Sequence, residues 1–157
     1  MKFYWLLAVA SALHAAGSEQ PLPFSHRVHT ESAKLICQDC HPTPAKFGGE
    51  MGFPRASKCM ACHVLIAKDK PAIRKLAEMA ASKQVIPWVR VYRLEDFVFF
   101  DHRYHLMNGA KCQDCHGAVE DQDVVTDQLG ATTMVFCQTC HVKTHANGGC
   151  TTCHDAQ

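Results

Sequence analysis

The stretch FSHRVHTESAKLICQDCH, residues 24–41, returns later in the chain as FDHRYHLMNGAKCQDCH, residues 100–116. Both copies open with the pattern F-x-H-R-x-H and close with C-x-x-C-H. The first histidine lies eleven residues before the first cysteine in one copy and ten in the other. Each copy is followed by another C-x-x-C-H unit, at Cys59 and at Cys137. A long pattern that recurs in this way indicates an internal repeat of two modules.

All ten cysteines of this 157-residue chain fall in five C-x-x-C-H units, at residues 37–41, 59–63, 112–116, 137–141 and 150–154. Two thiols at this spacing can add to the two vinyl groups of one haem, and the following histidine is then held beneath the iron as its proximal ligand. The pattern therefore predicts five covalently bound haem c groups, at sites 1 to 5 in chain order. The attachment residues are Cys37, Cys40, Cys59, Cys62, Cys112, Cys115, Cys137, Cys140, Cys150 and Cys153, and the proximal ligands are His41, His63, His116, His141 and His154.

Zinc sites and disulfides also use pairs of cysteines. A structural zinc site needs four ligands and commonly combines two C-x-x-C pairs, and five units cannot combine in twos. A disulfide framework suits an exported chain, but it leaves the five histidines that follow the cysteines without a role. Both alternatives explain less of the pattern than haem does.

A second set of histidines lies outside the C-x-x-C-H units and outside the N-terminal segment. Its members are His26, His29, His102, His105 and His145. Their number equals the number of predicted haems, and four of them form the two F-x-H-R-x-H pairs. We therefore expect two histidine ligands on every iron, which leaves no open position.

An F-x-H-x-x-H motif ahead of a series of C-x-x-C-H units resembles the class III multihaem cytochromes c, the family of tetrahaem and trihaem proteins. The resemblance implies a small, haem-packed, loop-rich chain with a few short α-helices and little or no sheet. It also implies the distal ligands: His26 for site 1, His29 for site 2, His102 for site 3 and His105 for site 4. His145 is left for site 5 by elimination.

The chain departs from that family at two methionines. Trihaem relatives carry a further histidine shortly before a later C-x-x-C-H unit, whereas this chain has Met51 before Cys59 and Met134 before Cys137. A methionine ligand would raise the potential of its haem. We favour the alternative that both methionines pack against porphyrin, because methionine commonly fills gaps in a core.

The first seventeen residues, MKFYWLLAVASALHAAG, have the layout of a secretory signal peptide. Lys2 precedes an apolar run that ends at Leu13, and small residues follow up to Gly17. The run is too short to span a bilayer as a mature helix, and an uncleaved anchor is the alternative. We expect an exported protein, periplasmic in a bacterium.

The charge balance gives no support for nucleic-acid binding, because 16 Lys and Arg stand against 15 Asp and Glu. The haem propionates change this balance. The mature oxidised protein should carry a net charge of about −5, which would steer it toward redox partners with a basic rim.

Residues 67–84, AKDKPAIRKLAEMAASKQ, predict one helix of three to four turns. Pro71 suits the first turn of a helix, and Ile73, Leu76 and Ala80 recur on one face. Residues 86–100, IPWVRVYRLEDFVFF, favour extended chain or a strand, because valine and aromatic residues dominate.

This aromatic stretch is also similar to a short segment in the haem subunits of some membrane quinol-oxidising and molybdoenzyme-linked complexes. The similarity would allow Trp88 and Tyr92 a role in docking. The alternative, which we favour, is that both rings cover haem faces inside the fold.

We divide the chain into a signal peptide at residues 1–17, a first two-haem module at 18–66, a helix and extended linker at 67–99, and a second module with three haems at 100–157. About 140 mature residues around five haems leave little conventional core, so the chain is not expected to fold without haem.

Irons that carry histidine on both faces exchange electrons but offer no position to a substrate. The sequence thus predicts an electron-transfer protein rather than an enzyme, working between a quinol-oxidising or dehydrogenase partner and a reductase or an outward acceptor. Association with a membrane-bound complex fits this interpretation. The alternatives are a multihaem reductase with one open haem, and a subunit of a larger complex or filament.

Overall fold

The computed structural model describes residues 19–125, 128 and 133–154, so the predicted signal peptide lies outside the described residues. Within them the chain forms seven short α-helices, a π-helical turn at Val28–Ser32 and a 3-10 turn at Val119–Asp121, joined by loops. In the same part of the chain the only β-pairing is an isolated bridge between Val98 and His154. The prediction of a small, loop-rich fold with few short helices is confirmed. The helices are α1 (Cys37–Cys40), α2 (Ala56–His63), α3 (Pro71–Ala81), α4 (His102–Met107), α5 (Cys112–His116), α6 (Met134–Lys143) and α7 (Cys150–Cys153).

Each C-x-x-C-H unit lies on a short helix. Helices α1, α5 and α7 begin at the first cysteine of their unit, and α2 and α6 begin three residues earlier. In the two CQDCH units the aspartate fixes the start of the helix. Asp39 accepts a hydrogen bond from the Ile36 N–H at 2.8 Å, and Asp114 accepts one from the Lys111 N–H at 2.8 Å. A carboxylate in the first turn satisfies a free N–H and suits the positive end of the helix dipole.

Helix α3 is the helix predicted from residues 67–84. Pro71 occupies its first position, and Leu76 on its apolar face is buried. This face packs against α2, which carries site 2. Helix α3 therefore supports one haem unit directly.

The conventional core is very small. In the described part of the chain only Leu22, Ala56, Leu76 and Ile86 are buried apolar residues. Many large apolar side chains elsewhere are exposed on the protein surface, for example Leu65 at 82% exposure. So few buried side chains cannot offset the conformational entropy of more than a hundred ordered residues.

Residues 86–99, here called the aromatic strap, cross the molecule from the first module to the last C-x-x-C-H unit. Trp88 lies 6.2 Å from Phe24, measured between ring centroids. The Tyr92 hydroxyl donates to the His116 carbonyl at 3.1 Å, and the Phe99 N–H donates to the Cys153 carbonyl at 2.8 Å. The strap forms no strand within the described residues, and a turn interrupts it where the Val98 N–H donates to the Glu95 carbonyl at 2.9 Å. Its contacts support the covering role for Trp88 and Tyr92.

The helices are all short. In the part of the chain that the structure describes, none is long and apolar enough to cross a membrane.

The small core leads to a prediction about the haem-free chain. Produced in a host that lacks haem attachment, the same chain should show no cooperative thermal transition by circular dichroism, because its apolar surface has nothing to pack against. The haem-loaded protein is the control and should unfold cooperatively. Cooperative unfolding of the haem-free chain would show that the protein core suffices.

Candidate haem sites

The two F-x-H-R-x-H motifs have the same geometry. In the first, the Phe24 ring lies 4.4 Å from His29 at an interplanar angle of 22°, and 4.9 Å from His26 at 86°. In the second, Phe100 lies 4.6 Å from His105 at 29° and 4.7 Å from His102 at 85°. One phenylalanine thus contacts both imidazoles of its motif and holds them at different angles.

A second imidazole faces the proximal histidine in four of the five predicted sites. Sites 1 and 3 have nearly parallel rings, with interplanar angles of 11° and 4°, and sites 2 and 4 have rings rotated by 61° and 50°. The centroid separations are 6.5 Å for His26 and His41, 6.0 Å for His29 and His63, 6.4 Å for His102 and His116, and 6.1 Å for His105 and His141.

These separations fit one metal ion between two imidazoles. With metal–nitrogen bonds of about 2 Å and a ring centre roughly 1 Å behind each nitrogen, two ligands on opposite sides of an ion have centroids about 6 Å apart. Direct packing of two rings would bring the centroids closer together. The structure therefore brings together the four pairs that the resemblance implied, at a spacing suited to an iron between them.

Most of the ten histidines predicted to bind haem iron are oriented by a backbone carbonyl. Nδ1 lies within hydrogen-bonding distance of a carbonyl oxygen in six of them, and a carbonyl can only accept. Nδ1 therefore carries the hydrogen, and Nε2 keeps its lone pair for a metal. The pairs are His29 with Ser25 (2.7 Å), His41 with Gly52 (3.0 Å), His63 with Ile66 (3.0 Å), His105 with Asp101 (2.8 Å), His141 with Asn147 (2.6 Å) and His154 with Phe97 (3.2 Å).

Burial, followed by the neighbouring imidazoles, lowers the pKa of His26, His102 and His116. Their neutral form is therefore favoured at neutral pH, and neutral imidazole is the form that binds a metal.

Site 5 differs from the other four. His154 has its nearest ring contact with Phe97, at 5.8 Å, and within the described residues it makes no ring contact with His145. His145 is exposed, in a left-handed backbone conformation with φ of 56° in the loop after α6. Its assignment to site 5 stays a prediction.

No two cysteines are joined by a disulfide in the part of the chain that the structure describes. Among these residues no cluster of three or more Cys, His, Asp or Glu side chains is arranged to hold a metal. Neither the disulfide nor the zinc alternative therefore gains support. A haem iron needs only two protein ligands, which is what each opposed pair provides.

The two methionines lie outside the imidazole pairs. Met51 lies in the loop before α2, where its carbonyl accepts from Arg90 at 3.4 Å. Met134 begins α6 and is 58% exposed. Because sites 2 and 4 already have imidazoles on both sides, the ligand role for these methionines gains no support.

Two comparisons with known proteins bear on these sites. A family model described as "Cytochrome c7 and related cytochrome c" matches residues 98–155, which hold the second copy of the repeat and three C-x-x-C-H units. The chain is also 28% identical over 162 residues to the menaquinone reductase, multiheme cytochrome c subunit, of Nitratidesulfovibrio vulgaris. That alignment covers 87% of this chain and 77% of the relative. Both comparisons support a multihaem c-type cytochrome that transfers electrons.

The carbonyls that orient the histidines could not be found by sequence reasoning. They belong to residues of unrelated types, such as Gly52, Ile66 and Asn147, because the side chain plays no part in the bond. A contact of Tyr92 with a haem site could be expected from the sequence, because it is an aromatic residue of the strap. Its ring lies 4.4 Å from that of His116.

The opposed pair at site 3 gives a direct test. Replacing His102 by Ala should leave the haem attached to Cys112 and Cys115 but remove one axial ligand, so a high-spin fraction should appear in the ferric spectrum. Replacing the exposed His145 by Ala is the parallel test at site 5: a new high-spin fraction would support its predicted ligand role, and an unchanged spectrum would show that it is not a ligand. A wholly low-spin spectrum for His102→Ala would mean that His102 is not a ligand or that another group replaces it.

Proposed function

We propose that the chain is an exported pentahaem cytochrome c that passes single electrons between a quinone-linked or dehydrogenase partner and a reductase or outward acceptor. The observation that carries this proposal is the set of four opposed imidazole pairs, 6.0–6.5 Å apart. Irons bound on both faces are built for electron exchange rather than for binding a substrate. Export and a periplasmic location rest on the layout of residues 1–17.

The residues present fit the groups that they would hold. In each of the four paired sites two cysteines would attach the macrocycle, and one histidine would bind the iron from each side. When bound, haem supplies a centre that gains and loses one electron without a change of ligands. The chain's own contribution is to fix the imidazoles in advance. Carbonyls such as those of Ser25 and Asp101 hold Nδ1–H and leave Nε2 directed to the metal.

Two histidine ligands also favour a low haem potential, since the axial ligand is a main control on potential. A carbonyl acceptor on Nδ1–H increases the basicity of the imidazole and stabilises the ferric form further. We therefore propose a carrier that works at low potential, in the range of quinones and their partners.

The relative from Nitratidesulfovibrio vulgaris supports a quinone-linked partner, because its name describes a subunit of a menaquinone reductase. The sequence predicted electron flow from a quinol-oxidising partner, whereas that name refers to quinone reduction. A carrier of low potential serves either direction, and the potentials of its partners decide which one operates. By analogy, this chain would work as a subunit of a membrane-associated complex.

A second candidate function follows from site 5. No imidazole faces His154 among the described residues, so an iron at that site would have one face open to a small ligand. A multihaem reductase of nitrogen or sulfur oxyanions needs an iron of this kind. Consumption of nitrite or sulfite by the chemically reduced protein would favour this candidate over a carrier.

The proposed function predicts exchange of electrons with a quinone pool. Oxidised holoprotein mixed with anaerobic membranes that contain menaquinol should become reduced, and reduced holoprotein should be oxidised by membranes that contain menaquinone. Membranes from which the quinone has been extracted are the control. Exchange that is equally fast without quinone, or absent in both directions, would contradict a quinone-linked role.

A further inference from the structure

The two copies of the repeat contact each other through their F-x-H-R-x-H motifs. In the first motif the Arg27 side chain forms an ion pair with Asp123 at 2.5 Å, and its backbone N–H donates to the Gln122 carbonyl at 3.0 Å. The Ser25 hydroxyl donates to Asp123 at 2.6 Å, and the Thr30 hydroxyl donates to the Glu120 carbonyl at 3.0 Å. The first motif is thus attached to the loop that follows the C-x-x-C-H unit of site 3.

The second motif makes the corresponding contacts with the first module. The Arg103 guanidinium donates to the carbonyl of Ala45 and lies 4.6 Å from the centre of the Phe47 ring. Asp101 accepts from the Gly48 N–H at 2.6 Å, and the Tyr104 ring lies 4.5 Å from Phe47. This motif is therefore attached to the loop that follows the C-x-x-C-H unit of site 1.

Each motif contacts the loop that follows a C-x-x-C-H unit of the other module, so the contacts between the two modules are reciprocal. The starts of α1 and α5 line one groove, with Ile36, Cys37 and Gln38 on one side and Lys111, Cys112 and Gln113 on the other. Cys37 and Cys112, the first attachment residues of sites 1 and 3, both line this groove. Sites 1 and 3 are consequently neighbours.

Within each module the distal histidines set the order. His26 and His29 both contact Phe24, so the irons of sites 1 and 2 would lie on either side of one short segment. His102 and His105 contact Phe100 in the same way, which places sites 3 and 4 side by side.

The loop between α6 and α7 extends this order to the end of the chain. The Asn147 carbonyl accepts a hydrogen bond from His141 Nδ1 at 2.6 Å, and Gly148 lies against the His141 side chain. Because Cys150 follows directly on this loop, site 5 lies beside site 4.

We propose that the five haem sites form one unbranched row in the order 2, 1, 3, 4, 5, with the groove that Cys37 and Cys112 line as the crossing between modules. This inference rests on the proposed function and specifies its path. With haem bound, each transfer along the row would oxidise one ferrous iron and reduce its ferric neighbour by one electron. A one-electron donor would reduce the row at one end, and an acceptor would oxidise it at the other. The ends of the row would be site 2 and site 5.

The order can be tested on the holoprotein without any partner. Anomalous scattering at the iron edge of a crystal would locate the irons, and the attached C-x-x-C-H units would assign each one to its site. The row predicts that the irons of sites 1 and 3 are nearest neighbours across the modules and that sites 2 and 5 each have one near neighbour. A branched arrangement, or closest approach of site 2 to site 4 or site 5, would overturn the proposal. The quinone-exchange assay is independent of this result, so failure of the function and failure of the row are distinguishable.

The reciprocal contacts provide a second test. Replacing both Arg27 and Arg103 by Gln should weaken the contact between modules and decrease the haem–haem coupling signal in Soret circular dichroism, while haem content stays at five per chain. Arg93→Gln is the matched control, because Arg93 is exposed and its side chain forms no hydrogen bond or ion pair with another described residue. An unchanged coupling signal in the double variant would overturn the role of the two arginines at the crossing. If the double variant loses haem, the iron positions in the unmodified protein still decide the order.

Discussion

The fold depends on a fixed spacing of about 6 Å between opposed imidazoles, which is the spacing that one metal ion with a ligand on each side requires. Four pairs meet it, and each joins a histidine from an F-x-H-R-x-H motif to a histidine of a C-x-x-C-H unit. Short helices and loops satisfy this constraint more readily than long regular elements, because each histidine must approach its site from its own direction. The same constraint would account for the few buried apolar residues in the described part of the chain, since haem would take up the space between the paired histidines.

Function and stability therefore rest on the same contacts. An iron bound by two histidines links segments that are far apart in the chain, and covalent attachment restricts the unfolded chain much as a disulfide does. The reciprocal contacts of Arg27 with Asp123 and of Arg103 with Ala45 hold the two modules together. A chain with so small a core can hold a defined shape because its cofactors take the place of the core.

Much of the site could be predicted from the sequence, because the spacing of C-x-x-C-H and F-x-H-R-x-H is itself chemical information. Helix α3 could also be predicted, since its apolar face recurs with helical periodicity. The crossing between modules could not be predicted, because Arg27 and Asp123 are far apart in the chain and neither belongs to a recognisable pair. The family resemblance implied no distal ligand for site 5. Equal numbers of histidines and haems could not show that His145 lies in an exposed loop and makes no ring contact with His154 within the described residues.

Histidine ligation of four irons on both faces can be tested by the binding of carbon monoxide to the reduced holoprotein, because carbon monoxide needs an open position on the iron. Haem content per chain is measured first, and then the carbon monoxide bound per chain. We expect five haems and at most one bound carbon monoxide, at site 5. Binding at two or more haems, or fewer than five haems per chain, would contradict it.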